Sequence, residues 1–331
     1  MSTPSPATRR TTSTLVTVLV TLTVTGCGLR LESDPPPLPV PDAVEIVRDR
    51  TASDAVTIAE TAERAASTSP DAVADLLAAL SAASAAHAEA LGGPYTPFPD
   101  LPPDTDAEPT ATAPPTLAVD ELVALVTASA TSALADADAT EDARLARLVA
   151  AVGLSRLLHA DAIATAAGDP VPPPDVTVPE LVPDGVTGQQ VSVLVQSEDA
   201  LGLAWEVLAA RFTDADRSAA ADRATVHRLR AKDWAVVAGI AGTGQDPRRS
   251  TYALPVELTD PQAAVADLLA VTAALEAELA AGYLGAAGEA APGGRTALLD
   301  LALDGLRAAT VPGSAPPVFP GTAEPPSQAQ S

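Results

Sequence analysis

The chain has 331 residues, with 19 basic side chains against 43 acidic ones and a formal net charge of −24. So acidic a surface repels nucleic acid and anionic headgroups, and aromatics at 2% leave no stacking platform for single strands or sugars. Hydrophobic residues at 47%, mostly Ala, Leu and Val, still suffice to bury a core, and the length suggests two domains.

At the N-terminus, Arg9 and Arg10 precede an apolar run over residues 15–22 that is too short to span a bilayer. Val24-Thr25-Gly26-Cys27 follows, placing small residues before the only cysteine, and Glu32-Ser33-Asp34-Pro35-Pro36-Pro37 comes next. This order of charged, apolar and small-residue regions resembles a bacterial lipoprotein signal. The resemblance implies cleavage after Gly26, a thioether-linked diacylglycerol on Cys27, a tether over residues 27–41, and a mature protein held in the lipid bilayer at the outer face of the cytoplasmic membrane. Without residues 1–26 the formal charge becomes −26. With Cys27 lipidated, no thiol is left for a disulfide, a cluster or a nucleophile. Abundant alanine, and arginine in preference to lysine (Lys232 is alone), look like a high-GC actinobacterial coding bias.

Proline-rich runs divide the remainder into a block at 42–168, a linker at 169–188, a second block at 189–311 and a disordered tail at 312–331. Such runs cannot continue helices and carry too few apolar groups to pack. In the first block, Val44, Val47, Ala55, Ile58, Ala62 and Ala65 recur at helical spacing. Ser69-Pro70-Asp71 then stops one helix and starts the next. The second stripe is Val73, Leu76, Leu77, Leu80, Ser84, His87 and Leu91, ended by Gly92-Gly93-Pro94. After a long Pro- and Thr-rich crossover come a third helix (Leu122, Val123, Val126, Ala130, Ala133) and a fourth (Leu145, Leu148, Val149, Val152, His159, Ile163).

The second block repeats the plan. Val191, Leu194, Val195, Glu198, Leu201, Trp205, Leu208 and Phe212 form its first stripe; Val226, Leu229, Asp233, Val236, Val237 and Ile240 form its second. A crossover over residues 245–259 leads to Asp260-Pro261, the expected start of a third helix through Val265, Leu269, Thr272, Glu276, Leu279 and Tyr283. Leu298, Leu299, Ala302 and Leu306 mark the fourth. His87 and His227 stand 140 residues apart, as do Asp120 and Asp260, which reads as a tandem duplication. The predicted fold is all-α: two tandem ferritin-like four-helix bundles, each with a long crossover between its second and third helices.

Within residues 190–309 stand Glu198, His227-Arg228-Leu229-Arg230-Ala231-Lys232-Asp233, Tyr252-Ala253-Leu254-Pro255, Asp260-Pro261, Glu276 and Tyr283. This set resembles the ferritin-like domain of unknown function 4439, found in actinobacterial secreted proteins and lipoproteins. The resemblance implies a fold and no reaction. Where that family follows its first-helix Glu with His, this chain has Asp199.

A di-iron or di-manganese site on such a bundle needs Glu-x-x-His on two helices. Three residues before His87, His159 and His227 stand Ser84, Arg156 and Ala224, so the motif is absent, and no metal centre or other cofactor is expected. Glu198 and Glu276 nevertheless fall on inward stripes, where a buried carboxylate needs a partner or a proton. Arg228, Arg230 and His227 are the cations within reach, so a polar cluster, Glu198–Arg230 or Glu276–His227, is expected, with a weak mononuclear cation site as the alternative. His87 and His159 read as hydrogen-bonded core histidines. Phosphate-loop, dinucleotide and nucleophile-elbow motifs are absent. The expected function is that of a non-catalytic binding or scaffold lipoprotein of the cell envelope, with an envelope protein as partner and no nucleic acid. The alternative is a degenerate ferritin-like protein using Glu198, His227, Arg230 and Glu276.

Overall fold

The computed structural model describes residues 40–97, 117–172, 174–311 and 313–321. The expected signal peptide, Cys27 and the tether up to residue 39 lie outside the described residues, as do part of the first crossover and the last ten residues. Among the described residues there are nine helices and no strand: α1 (Ala43–Ala66), α2 (Asp71–Ala90), α3 (Val119–Ala139), α4 (Ala143–Ala167), α5 (Gly188–Arg211), α6 (Asp214–Val237), the single turn α7 (Val256–Thr259), α8 (Val265–Glu289) and α9 (Thr296–Ala309).

Several starts are set by capping residues. Asp42 accepts from the Glu45 amide at 2.8 Å, Asp142 accepts from the amides of Arg144 and Leu145, and Thr187 and Gln190 cap each other reciprocally. The start of α8 differs from expectation. Asp260 closes α7 instead, and Arg211 donates to the carbonyls of Asp260, Pro261 and Ala263, holding an irregular loop until the helix begins at Val265.

The long helices pack as hairpins α1–α2, α3–α4, α5–α6 and α8–α9, with α1 against α3, α2 against α4 and α5 against α8. Ile58, Leu77, Leu80, Leu122, Val126 and Ile163 fill the space among the first four. A second apolar cluster joins the two halves of the sequence, since Val149, Leu154 and Leu158 of α4 belong to it together with Val195, Leu268 and Leu301. Residues 149–156 of α4 are buried on every side. That burial accounts for the apolarity of α4, which with α3 is, among the described residues, long and apolar enough to cross a membrane by length and composition alone. Small residues permit the close approach of α3 and α4: a Cβ at Gly153 would stand 2.9 Å from the Leu134 side chain.

Two segments expected to lack packing are packed. In the linker, Val176, Val178, Val182 and Val186 lie against the core, and the Asp184 carbonyl accepts from the Ala291 amide at 2.8 Å. In the tail, Pro316 and Pro320 are buried. Prolines space these apolar side chains along extended chain, so a few of them suffice to fill a groove between helices that already exist.

Arg295, 4% exposed, stitches the halves together. Its guanidinium donates to the carbonyls of Ala290, Ala137 and Thr140 at 3.0, 2.6 and 2.8 Å, and its amide donates to Asp138 Oδ1 at 2.6 Å. These carbonyls close α3 and α8, so one cation serves two helix C-termini.

The linker's docking rests on Gly185, whose φ is +90° and where a Cβ would stand 2.2 Å from the Glu289 carbonyl oxygen. Gly185→Ala is expected to lower stability by about 2–3 kcal/mol, because positive φ and a backbone clash add. Gly188→Ala, with open space around it, is expected to be near neutral in the same thermal unfolding experiment.

Candidate functional site

Helix α6 is rotated relative to its apolar pattern. Leu229 and Val236, expected inward, are 50% and 57% exposed, and Asp233 is exposed as well. The buried face carries Ala220, Ala224, His227, Arg230, Ala231, Trp234 and Ala235. The cause is a second stripe at helical spacing, Arg223, His227, Arg230 and Trp234, whose partners wait on the facing helices. Leaving a Leu or Val in water forfeits about 1.5–3 kcal/mol. Breaking a buried ion pair costs about 3–5 kcal/mol, and several are at stake here. The polar stripe therefore sets the rotation, and α6 reaches α8 and α9 through long side chains rather than by close backbone approach.

His227 lies between two carboxylates. Its Nδ1 donates to Glu198 Oε2 at 2.6 Å and its Nε2 to Glu276 Oε1 at 2.9 Å, with all three side chains fully buried. Glu276 also accepts from Trp205 Nε1 at 2.9 Å and from Arg223 in a two-pronged pair at 2.8 and 2.7 Å. Arg223 and Arg230 each donate to Asp304 Oδ2 at 2.6 Å, and Arg230 also donates to the Val176 carbonyl of the linker. On the other side Tyr283 donates its hydroxyl to Glu198 Oε1 at 2.5 Å and accepts from Trp234 Nε1 at 3.0 Å.

Three carboxylates, two guanidiniums and one imidazole balance to zero only when His227 carries both protons, which its two acceptors also require. Burial works against the charged ring, but the hydrogen bonds and charges of Glu198 and Glu276 outweigh it and raise the His227 pKa. Burial likewise pushes the Glu276 carboxyl up, yet His227 and Arg223 prevail and bring it down to about 2. Asp304 is held below the usual range as Arg223 and Arg230 overcome its burial. Burial, then the neighbouring Glu198, raises the Tyr283 hydroxyl well above its ordinary value.

Of the expected pairs, the structure forms Glu276–His227. Glu198 pairs with His227 and Tyr283, while Arg230 goes to Asp304. Arg223, Asp304 and Trp205 were missed. Arg223 stands one turn before His227 on the same face, and Asp304 is an acid among the leucines of α9; these were the available signals. Both ring nitrogens of His227 and both oxygens of Glu276 are spent within the network. Among the described residues no group of three or more His, Cys, Asp and Glu is placed to hold a metal ion. Asp199, buried beside Glu198, fixes the second crossover: it accepts from Arg228 at 2.6 Å, from the Tyr252 hydroxyl at 2.7 Å and from the Arg249 amide at 3.0 Å. Burial and Asp199 push the Tyr252 hydroxyl up to about 12.

The network has a solvent side. Trp205, Arg223 and Asp304 form one wall of a cavity of about 670 Å³, closed by apolar Phe212, Ala219, Val265 and Leu269. Its size falls within the range of small-molecule sites; Arg223, Asp304 and Trp205 are fixed from behind by the network, and Arg211, Asp216 and Arg307 add further charge to the lining.

In the first half, His87, Arg156 and His159 are fully or almost fully buried. Arg156 donates to Ser129 Oγ and the Thr51 carbonyl, and burial lowers its pKa to about 10. Burial also depresses both histidines, His87 to about 4, so this half holds neutral rings. Comparison with family models, with curated proteins and with solved structures finds no match.

His227→Leu is expected to cost about 3–5 kcal/mol in urea unfolding at pH 6, since Glu198 and Glu276 lose the cation between them. The pH dependence follows from the shifts. His227, raised, stabilises fully below its unfolded value of 6.5, and that contribution is lost as pH rises through its folded value. Glu276, lowered to about 2, stabilises above 4.5 and loses this as pH falls toward 2, so the network is strongest between these two limits. Opposing it, His87 binds a proton more readily unfolded, so acidification from 6.5 to about 4 removes stability. Imidazole NMR titration, assigned through His87→Asn and His227→Gln, is expected to show His227 charged above pH 6.5 and His87 neutral down to about pH 4.

Proposed function

We propose that the protein is a non-catalytic binding or scaffold protein, lipid-anchored through Cys27 at the outer face of the cytoplasmic membrane. In this reading two tandem ferritin-like bundles carry it, and the second has given its interior to a fixed ion-pair network. The observation behind the reading is the complete commitment of His227 and Glu276. A general base or metal ligand needs a free lone pair: the doubly protonated His227 has none, and Glu276 already accepts four hydrogen bonds from Trp205, Arg223 and His227. What stays open to a ligand is the cavity walled by Trp205, Arg223 and Asp304. The charged, apolar and small-residue order before Cys27, with the proline tether after it, supports the anchor.

Two measurements test this. Detergent phase partitioning is expected to carry the unaltered protein into the detergent phase and Cys27→Ser into water; equal partitioning removes the anchor. Native mass spectrometry of protein taken from its own membrane is expected to show a bound small molecule that is lost in Ala219→Phe, which fills the cavity, and kept in Glu198→Gln. Loss in Glu198→Gln alone, with the fold intact, would turn the reading to the interior. A second reading, a degenerate ferritin-like cation or acid–base site, rests on Glu198, His227 and Glu276 facing one interior. Near-stoichiometric iron or manganese that disappears in Glu276→Ala would establish it in place of the first.

A further inference from the structure

The C-terminal segment covers a second polar cluster, far along the chain from the His227 network. Residues 313–321 have no helix or strand of their own and lie against α2 and α4. Two consecutive carbonyls are read by side chains of two different helices. Ser155 Oγ on α4 donates to the Pro317 carbonyl at 3.0 Å, and His87 Nε2 on α2 donates to the Val318 carbonyl at 2.7 Å. The Phe319 ring meets the His87 ring edge-on with centroids 5.1 Å apart, and Pro316 and Pro320 are buried on either side. Side-chain donors that read main-chain acceptors, an aromatic contact and proline pockets are the means by which grooves take extended proline-rich peptides.

Two observations show that the segment fills this groove incompletely. Ser84 Oγ and His87 Nδ1, one helical turn apart on α2, are buried without a hydrogen-bond partner among the described residues. Native interiors leave few such atoms. Upstream, Gly313 and Ser314 wall a mainly apolar cavity of about 380 Å³ together with Leu76, Leu158 and Val311, and bring no large side chain to fill it.

We propose that the groove between α2 and α4 is a binding site for an extended proline-rich segment of a partner protein, with an aromatic residue before a proline, and that residues 316–320 occupy it as an exchangeable self-ligand. The intramolecular segment competes at high effective concentration, so the resting chain binds a partner weakly and releases the groove when a better-fitting segment arrives. A larger apolar side chain at the place of Ser314 is the feature that would make a partner fit better. The upstream cavity adjoins the one beside Arg223, since Arg307 lines both, but His87 and Phe319 line neither, so the test is independent of the function proposed above.

The test is fluorescence anisotropy with a labelled peptide of residues 311–321 and the same peptide carrying Ser314→Leu. Each is titrated into the full chain, into the full chain with Phe319→Ala, and into a chain ending at Val311. The Phe319→Ala and shortened chains are expected to bind the peptide roughly tenfold tighter than the unaltered chain, because the internal competitor is weakened or gone. The Ser314→Leu peptide is expected to bind about threefold tighter than the plain one, by filling the upstream cavity. Adding His87→Ala to Phe319→Ala is expected to weaken binding roughly tenfold, through loss of the donor and the ring contact. No uptake at millimolar peptide by chains that keep native helicity overturns the proposal, as does binding indifferent to His87→Ala. Should the shortened chain fail to fold, the Phe319→Ala chain decides.

Discussion

Three carboxylates in one apolar interior impose a condition that much of the second half obeys. Glu198, Glu276 and Asp304 come from α5, α8 and α9, and their matching cations all come from α6. An alanine-rich helix fits its neighbours in several rotations at similar packing energy, whereas the ladder Arg223, His227, Arg230 and Trp234 meets its partners in one. The network thereby specifies how α6 sits, at the expense of leaving Leu229 and Val236 in water. It also ties down the linker, through Arg230 and the Val176 carbonyl, and the orientation of Trp205 at the cavity wall.

The two halves put the same residue type to opposite uses. His87 and His227 are 140 residues apart, each buried on the second long helix of its half. The positions 140 residues before Glu198 and Glu276 are Ile58, an apolar core residue, and Asp136, which pairs with Arg50 at the surface. With no acid facing it, His87 stays neutral and donates one proton to a carbonyl; with two, His227 becomes a cation. A histidine's charge is decided by what the opposite helices bring, and only the folded arrangement reveals that.

Much of the helical plan was legible because it depends on local spacing. Pro70 and Gly92 fall at helix ends, the stripes of α2 and α9 are buried as their periodicity requires, and that of α5 is buried from Val191 to Leu201. Errors arose where a long-range partner overrode the local pattern. The apolar reading of α6 chose the wrong face because Leu229 and Val236 mark a stripe by local spacing, while Arg223 looks like a solvated residue until Glu276 and Asp304 are known to oppose it. The linker valines and the tail prolines read as solvent-exposed because what they pack against lies on helices distant along the chain, as where Asp184 meets Ala291 and Val318 meets His87. At the site, Glu198 and Glu276 were found from inward spacing and His227 as a cation within their reach; the Glu198–His227 and Arg230–Asp304 pairings needed three dimensions.

Arg295 carries a further implication for how the chain holds together. It sits at the mouth of α9, yet three of its anchors, the carbonyls of Ala137 and Thr140 and the Asp138 carboxylate, lie at the C-terminal end of α3, some 155 residues earlier. A chain whose halves were autonomous would melt half by half and tolerate being cut between them. Here, separating the halves would strand a desolvated guanidinium in one and uncapped carbonyls in the other, while opening the apolar cluster that α4 shares with α5, α8 and α9. The two halves therefore form a single cooperative unit, and damage to either is felt by both.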